Sequence, residues 1–414
     1  MNRIHEPAID TNLIPAAGQD VLQIHEPRCD DCGLCTRENR ILPKDLEDFV
    51  ARIFMRHEVP EAEARTTAHI LVASDTRGIQ SHGVARTARY LTGIKDGYIV
   101  PGVEPGIEEP APAVAVIDAH NGIGQVVAER AMDLALDKAE ENGIGLVTVK
   151  HSNHYGIAGY YALKAVERDM IGLSLTNSAP LVVPTFGADV LLGTNPIAFG
   201  APADRHPAFL LDMATSVVPR GKVEVYDRNR KQMPDGWTVD PHGYDSTNPG
   251  EVLRNLSERL GGGILPLGGR GKDFSGHKGY GLAFMVDILA GVLSGAAFGP
   301  GVHNLKREVP PGEIAAPDVG HFFLAIDIRR FMDLEAFKAR LDDLMDTVKS
   351  SRRALDQEEI YIHGEQSWAR TQEHERYGIP LAHNVMCALM DIARGVGVDD
   401  PVLQPDRAAE GAAS

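Results

Sequence analysis

The sequence predicts an α/β fold in which a sheet is flanked by helices. From about residue 113 onwards, strand-like and helix-like segments alternate, which is the pattern of an α/β domain. The chain has 414 residues, 43% of them hydrophobic and 24% charged, as is usual for a globular protein. A chain of this length buries a large core and accommodates about two to three structural units.

The first segment after residue 40 is predicted to be helical. Apolar residues recur at helical spacing over Pro43–His57, a second helix starts at Pro60 and ends near Thr76, and a third covers Val84–Lys95. Further along, strands are predicted at Ala113–Asp118, Ile144–Val149, Ile171–Thr176, Pro196–Gly200, Ala208–Met213 and His321–Ile328. Helices are predicted at Gln125–Asn142, Ile157–Arg168, Lys278–Ala297 and Leu334–Ser350, with two more between Gln366 and Arg394.

Two kinds of segment interrupt this alternation. Residues 224–275 and 300–320 are polar or rich in glycine and proline, so they are expected to be surface loops. The segment Lys278–Ala297 is the most apolar of the chain, but Asp287 interrupts it and it is short for a bilayer span. It is therefore expected to be a buried helix rather than a membrane segment.

The charge and the cysteine content limit the partners and the compartment. The formal net charge of −17 argues against nucleic acid as a partner, because phosphate binding needs a basic surface. The N-terminus has no apolar segment typical of a secretory signal, and four cysteines do not form a disulfide framework. These features favour a cytoplasmic protein without membrane partners.

Residues 1–40 form an extension of polar, proline-containing sequence that is expected to be disordered or only loosely docked. Within it, Cys29, Cys32 and Cys35 have a spacing that resembles part of an iron–sulfur or zinc ligand set. The fourth ligand of such a run is missing, since Cys387 lies far along the chain. An unpaired cysteine tail is the favoured interpretation, and a metal-linked redox protein stays open as an alternative.

The segment His151–Gly156 has the most informative side chains of the chain. It follows a predicted buried strand and precedes a predicted helix, so its histidines are expected to face a crevice. Imidazole titrates near pH ~6.5, which lets it accept or donate a proton at cellular pH. His151 and His154 could also be half of a metal site, but no third ligand lies nearby and proton transfer is favoured.

A second polar cluster, Ser81–Arg86, lies about 70 residues earlier, and Tyr90 follows it by one helical turn. Arg86 and Tyr90 are four residues apart and would share a helix face. A guanidinium can hold a carboxylate through two parallel hydrogen bonds. Ser81 and His82 can offer a hydroxyl and free backbone amides to an anion, although simple helix capping explains them equally well.

Polar turns follow several of the predicted strands. Asn177–Pro180, Gly193–Pro196 and Asp212–Ser216 each follow an apolar strand, so they are expected to form a common rim that holds a ligand. Lys278 lies in a glycine-rich segment at the start of the apolar helix, where a positive helix end suits a phosphate. The spacing is not that of a nucleotide-hydrolysing loop.

A dinucleotide fingerprint of the Rossmann type is imitated by Gly122–Ala128, which has the form G-x-G-x-x-A. The next strand ends in Lys150 and His151, whereas a true fingerprint requires a carboxylate there for the ribose. The glycines are therefore expected to ease a strand-to-helix turn.

Together these segments resemble the malate/L-lactate dehydrogenase family of the second type, which is unrelated to the Rossmann-fold lactate and malate dehydrogenases. The resemblance covers about residues 41–394. It is carried by Ser81–Arg86, His151–Gly156, Gly193–Pro196, Leu211–Ser216 and Lys278–Leu282, which match in order and spacing.

The resemblance implies a non-Rossmann α/β fold, with a central mixed sheet, flanking helices and a helical domain. It implies residues 41–115 with 321–394 as the helical, substrate-side and dimerisation domain, 116–320 as the cofactor-binding domain, and 395–414 as a tail. A homodimer that uses NAD or NADP to act on 2-hydroxy or 2-keto acids, such as malate or lactate, is expected. Reduction of cyclic imino acids stays open as an alternative.

The resemblance also implies roles for individual residues. His154 matches the proton-transferring histidine, Arg86 and Tyr90 match substrate-side residues, and Ser81 lines the same pocket as a further catalytic candidate. The expected cofactor contacts are His82, Ser178, Asp212, Met213, Ala214, Lys278 and Gly279. No ribose-reading carboxylate or basic pair distinguishes NAD from NADP, although Arg228 and Arg230 are candidate partners for a 2′-phosphate. A small-molecule carboxylate is the expected substrate, and no metal site is assigned.

Overall fold

The computed structural model describes residues 40–303 and 316–398. Its helices are α1 (Pro43–Arg56), α2 (Glu61–Thr76), α3 (Thr87–Lys95), α4 (Gly124–Asn142), α5 (Ala158–Glu167), α6 (Arg220–Arg228), α7 (Pro249–Glu258), α8 (Gly276–Val286), α9 (Leu334–Lys349), α10 (Glu365–Tyr377) and α11 (His383–Gly395). Its strands are β1 (Arg40–Ile41), β2 (Gly106–Ala111), β3 (Val114–Asp118), β4 (Ile144–Ser152), β5 (Met170–Thr176), β6 (Ile197–Ala201), β7 (Phe209–Met213), β8 (Thr238–Val239), β9 (Gly263–Ile264), β10 (Val319–Asp327) and β11 (Ile379–Pro380). The predicted α/β fold with a central mixed sheet is confirmed.

The central sheet has seven strands in the order β2-β3-β4-β10-β5-β6-β7. β3 and β4 are parallel, and the other neighbouring strands are antiparallel. The last of these strands in the sequence, β10, is the middle strand of the sheet. The expected division placed residues 321–327 with the helical domain and began the sheet domain at residue 116, whereas the sheet already starts with β2. The apolar pattern of a strand does not show which distant strand pairs with it, so this placement was not predicted.

Helices cover both faces of this sheet. α4 and α5 pack on one face, against a core that includes Val147, Phe323 and Ala325. α8 and the turn after it pack on the other face, where Leu175 and Phe322 are buried. The close approach of α4 depends on Gly145, because a Cβ atom there would lie only 1.9 Å from the carbonyl oxygen of Ala135.

The helical unit beside the sheet has a core of its own. It is formed by α1, α2, α3 and α11, and Leu46, Phe49, Phe54 and Leu389 are among its buried side chains. The N- and C-terminal parts of the described chain therefore meet in one unit, as their paired strands β1 and β11 also show. Tyr90 on α3 belongs to this core, which fixes the position of its side chain.

Residues 224–275 are not the irregular surface loop that their polarity predicts. They include α7 and the end of α6, and a small sheet of β8 and β9. Val223, Val252 and Ile264 are buried in a shared core, and the side chain of Asn248 caps α7 by accepting the N–H of Glu251 at 3.2 Å. The few apolar residues of this region are widely spaced, so they gave no periodic signal.

The expected buried helix over Lys278–Ala297 is buried on one side only. α8 continues into a π-helical turn at Asp287–Val292, with Ala283, Val286 and Ala290 buried against the sheet side. The opposite side exposes apolar side chains, namely Phe284, Met285, Ile288, Val292, Leu293 and the nearby Phe298. In the single chain, this apolar surface is in contact with solvent.

The N-terminal cysteine cluster Cys29, Cys32 and Cys35 lies outside the described residues, as does the tail from residue 399. Within residues 40–303 and 316–398, no three potential ligands gather in a way that could hold a metal ion. No helix in these two ranges is long and apolar enough to cross a membrane.

The contact between α4 and β4 can be tested with two glycine substitutions. We expect Gly145→Ala to lower the free energy of unfolding by ~1–3 kcal/mol, because the added methyl group forces α4 away from the strand. Urea unfolding of the purified protein measures this change. Gly221→Ala is the control, since nothing lies within 4 Å of a Cβ at that position in α6; an equal loss in both variants would contradict the explanation.

Candidate active site

The loop after β4 holds His154 in a fixed position. The side chain of Asn153 is buried and donates hydrogen bonds of 3.0–3.3 Å to three backbone carbonyls, those of Tyr98, Asn121 and Gly122. On the other side, Gly124 starts α4 directly against this loop. A Cβ atom at Gly124 would lie 2.4 Å from the carbonyl oxygen of Asn153 and 2.5 Å from that of His154. The glycines of Gly122–Ala128, which imitate a dinucleotide fingerprint, thus allow the start of α4 to lie in close contact with the His154 loop.

The imidazole of His154 contacts the helical unit through Tyr90. The Tyr90 hydroxyl lies 2.6 Å from Nδ1 of His154, and the backbone nitrogen of Gly156 lies 3.3 Å from the same ring nitrogen. Both contacts use Nδ1, so Nε2 is the ring nitrogen that remains for a substrate. The ring of His82 stacks on that of His154 with a centroid separation of 5.4 Å.

The other residues of the second polar cluster join the same group. The hydroxyl of Ser81 lies 2.9 Å from Nδ1 of His82. Arg86 donates from Nε to the backbone carbonyl of Ser81 at 2.7 Å, which orients its guanidinium. The structure therefore brings Ser81, His82, Arg86, Tyr90 and His154 together, although they come from segments about 70 residues apart.

Burial determines the charge states of these groups. It lowers the pKa of His154 well below the usual value, and the positive charges of Arg89 and Arg86 lower this pKa further. Burial likewise lowers the pKa of His82 to about 3 and raises that of Tyr90 to about 12. The pKa of Arg86 falls to about 10, which still leaves it charged at neutral pH. Two neutral imidazoles and a neutral phenol thus surround a cationic guanidinium.

The three polar turns at the strand ends also lie together, as predicted. The backbone N–H of Thr194 donates to the hydroxyl of Ser178 at 3.1 Å. The backbone N–H of Thr215 donates to the carbonyl of Thr194 at 2.8 Å. Asn195 connects this rim to α8, because its side-chain amide donates to the carbonyl of Ala283 at 2.9 Å.

The remaining expected cofactor contacts flank this rim. Asp212 and Met213 end β7, Ala214 follows, and Asp212 accepts the N–H of Gly159 at 2.9 Å in the first turn of α5. Burial raises the pKa of Asp212 to about 6. Gly279 packs against the backbone of Leu267, which in turn bonds to the turn at Thr215, and Lys278 is exposed beside it in the first turn of α8.

The sequence pattern of the malate/L-lactate dehydrogenase family matches residues 41–390. The chain belongs to this family. Malate dehydrogenase from Pyrococcus abyssi is 47% identical to it over 359 residues, which are 86% of this chain and 95% of that protein. This makes the chain an oxidoreductase that acts on 2-hydroxy acids, and the family implies a nicotinamide cofactor.

Solved structures agree with this assignment. The structure of malate dehydrogenase from Pyrococcus horikoshii OT3 matches with a TM-score of 0.78 at 43% identity, covering 87% of this chain and 96% of that one. Sulfolactate dehydrogenase from Methanocaldococcus jannaschii matches with a TM-score of 0.75 at 35% identity, covering 87% and 98%. The non-Rossmann fold implied by the family resemblance is thus the observed fold of this dehydrogenase.

Several residues of the site gave no signal in the sequence. Gln125 is fully buried beside the Tyr90 hydroxyl. Burial raises the pKa of that hydroxyl, and the side-chain amide of Gln125 lowers it through a hydrogen bond. His321 on β10 is buried between the hydroxyls of Thr176 and Ser152, at 2.7 and 2.8 Å, and so connects the ends of β5 and β4. Such contacts join segments that are distant in sequence, which is why the motifs did not reveal them.

His151 lies apart from this group. Its Nδ1 is 2.9 Å from a carboxylate oxygen of Asp118, and its backbone adopts a left-handed φ of 51°. The two histidines of the motif therefore face different partners, and the structure supports no shared metal site for them among the described residues.

The turn that carries Arg86 is held by a buried carboxylate, that of Asp75. The stability of the folded protein is therefore expected to depend on pH. Asp75 accepts the N–H of Val84 at 2.7 Å, and burial raises the pKa of Asp75 to about 8. Between about pH 4, where an unfolded aspartate titrates, and pH 8, the folded state holds a proton that the unfolded state has lost. The free energy of unfolding should therefore fall as pH rises through this window, by at most ~1.4 kcal/mol per pH unit from this group.

Asp75→Asn should remove this contribution, because an amide does not titrate. Urea unfolding at several pH values compares the slopes of the variant and of the unaltered enzyme. Asp96→Asn, at an exposed position just after α3, serves as the control. An unchanged slope in Asp75→Asn would show that the pH dependence arises elsewhere.

Proposed function

We propose that this dehydrogenase interconverts a 2-hydroxy acid and the matching 2-keto acid, with His154 as the acid–base and Arg86 as the carboxylate ligand. The observation that carries the proposal is the 2.6 Å contact between Tyr90 and Nδ1 of His154, which leaves Nε2 for the substrate. Arg86 precedes Tyr90 by four residues, and its terminal guanidinium nitrogens form no hydrogen bond within the described part of the chain, which leaves them for a bidentate carboxylate.

The proton step follows from the charge states. Burial keeps His154 neutral, and in the tautomer that places its proton on Nδ1 this proton is donated to the Tyr90 oxygen. Nε2 is then the acceptor that takes the proton of the C2 hydroxyl when the alcohol is oxidised. In the reverse direction the imidazolium returns this proton to the forming hydroxyl. The Tyr90 hydroxyl, whose pKa is raised by burial, stays protonated and holds the ring during both steps.

The rim of polar turns is the proposed binding site for the nicotinamide cofactor. Its hydroxyls and backbone amides suit ribose and phosphate groups, and Lys278 adds a positive charge at a helix N-terminus. The residues proposed to hold the cofactor are His82, Ser178, Asp212, Met213, Ala214, Lys278 and Gly279. The cofactor, when bound, exchanges a hydride with C2 of the substrate, and the protein supplies orientation and charge.

The choice between NAD and NADP depends on groups near the adenosine ribose. Arg228 and Arg230 are exposed at and just after the end of α6, where either guanidinium could bind a 2′-phosphate. Kinetics with NADH and NADPH across a panel of 2-keto acids and cyclic imino acids decide both the cofactor and the substrate.

The role of His154 can be tested directly. We expect His154→Ala to lower kcat by at least ~100-fold, because a positioned acid–base contributes about 10²–10⁴-fold to the rate. The Kd of the cofactor should stay nearly unchanged. His120→Ala is the control, since this histidine is exposed and lies outside the site. A His154→Ala enzyme with turnover close to that of the control would assign the proton step to another group.

We also propose that the enzyme is a homodimer whose interface includes the exposed apolar face of α8 and the following turn. Side chains such as Phe284, Ile288 and Val292 are 49%, 45% and 55% exposed in the single chain. A contiguous apolar surface of this kind is typical of a protein interface. In a twofold dimer the same surface contributes from each copy.

Charged substitutions on this face test the dimer. We expect Ile288→Glu together with Val292→Glu to convert the dimer to a monomer in light scattering at micromolar concentration, because the charges would be buried without partners. Leu355→Glu is the control, at a residue that is 92% exposed between α9 and α10. An unaltered enzyme that is monomeric, or a double variant that stays dimeric, would contradict the proposal.

A further inference from the structure

A second arginine of the site has no partner within the described chain. Arg89 lies on α3, three residues after Arg86 and one before Tyr90, so the three side chains lie on one side of the helix. Arg89 is partly buried, yet no hydrogen bond or ion pair connects it to any residue of the ranges 40–303 and 316–398. A partly buried guanidinium without a counter-charge is costly unless a ligand supplies one.

The surroundings of Arg89 include a polar group that also lacks a partner among the described residues. Gly93 lies one helical turn further along α3, and the ring of Tyr98 packs against it. A Cβ atom at Gly93 would lie 2.7 Å from that ring. The Tyr98 hydroxyl is buried and has no hydrogen-bond partner among the described residues. This unsatisfied hydroxyl, whose pKa burial raises and the charge of Arg89 lowers, indicates that a polar ligand belongs beside Arg89.

The charge of Arg89 acts on the reacting groups. After burial itself, it is the largest influence that lowers the pKa of His154, and it also lowers that of His82. The charge of Arg89 is therefore close enough to both imidazoles to influence their protonation. The nearby Arg220 differs, because its Nε binds the carboxylate of Glu224 at 2.9 Å and its charge is compensated.

The charge balance of the site then selects its ligand. With His82, His154 and Tyr90 neutral, the charges of Arg86 and Arg89 remain, and neither guanidinium forms an ion pair with a residue of the ranges 40–303 and 316–398. A monocarboxylate bound to Arg86 neutralises one of them, whereas a substrate with two anionic groups neutralises both.

We propose that Arg89 binds a second anionic group of the substrate and thereby selects 2-hydroxy acids that carry a further carboxylate or sulfonate. This rests on the proposed function, since Arg86 must hold the first carboxylate. Guanidiniums three residues apart on a helix are close enough to hold the two ends of a short dianion. Arg89 is then a specificity-determining residue, and the hydrogen transfer itself does not require it.

The test compares a dianionic substrate, malate, with a monoanionic one, lactate. In Arg89→Met, kcat/KM for malate should fall by at least ~30-fold, as expected for the loss of a charge-assisted pair of hydrogen bonds. For lactate it should change by less than about threefold, because the lost group has no partner there. Arg89→Lys should recover part of the malate activity, since it keeps the charge but loses the planar fork. Sulfolactate in place of malate distinguishes a sulfonate from a carboxylate preference.

The pH profile provides a second readout. The groups that face His154 are Arg86, Arg89, His82, Tyr90 and His321. Removing the positive charge of Arg89 raises the pKa of His154, and oxidation needs the neutral imidazole. The acid limb of kcat/KM for oxidation should therefore move to higher pH in Arg89→Met, with lactate as well as with malate.

Lys95→Met is the matched control, because it removes an exposed positive charge from the last residue of the same helix. It should leave both substrates and the pH profile unchanged. Equal losses for malate and lactate in Arg89→Met, or a raised KM for the cofactor alone, would overturn the assignment of Arg89. An unaltered enzyme that oxidises no 2-hydroxy acid at all would instead refute the proposed function itself.

Discussion

The hydrogen bond between Tyr90 and His154 joins the two halves of this enzyme. Tyr90 is buried in the core of the helical unit, whereas His154 follows a strand of the central sheet. The geometry of the site therefore depends on how these two units pack. Gly124 and Asn153 fix the histidine from the sheet side, and the turn held by Asp75 fixes Arg86 from the helical side. No single segment contains the site.

Burial determines the protonation state of His154 at this contact. An imidazole beside guanidinium groups and away from water loses its proton easily, so the site favours a neutral base before the substrate binds. An anionic substrate reverses this bias, because its charge compensates the arginines and favours the imidazolium that reduction requires. The local positive charge also explains how a chain with a net charge of −17 can bind an anion.

The sequence predicted the alternating elements, the α/β class and the motifs at the strand ends, because periodicity and polar turns are local properties. It also predicted the grouping of Ser178, Thr194 and Thr215. It did not predict that β10 is the middle strand, that residues 224–275 contain helices, or that Arg89 and Gln125 act on His154 and Tyr90. Each of these depends on contacts between distant segments. The apolar face of α8 was expected to be buried because apolarity alone does not distinguish a core from an exposed apolar surface.

The central claim is that one imidazole and one guanidinium hold the same small acid. A crystal structure of the enzyme with its nicotinamide cofactor and an unreactive analogue of a 2-keto acid tests it most directly. The account predicts the analogue's C2 oxygen within hydrogen-bond distance of Nε2 of His154, and its carboxylate paired with Arg86 in two parallel bonds. A carboxylate bound away from Arg86, or a C2 oxygen beyond the reach of His154, would contradict it.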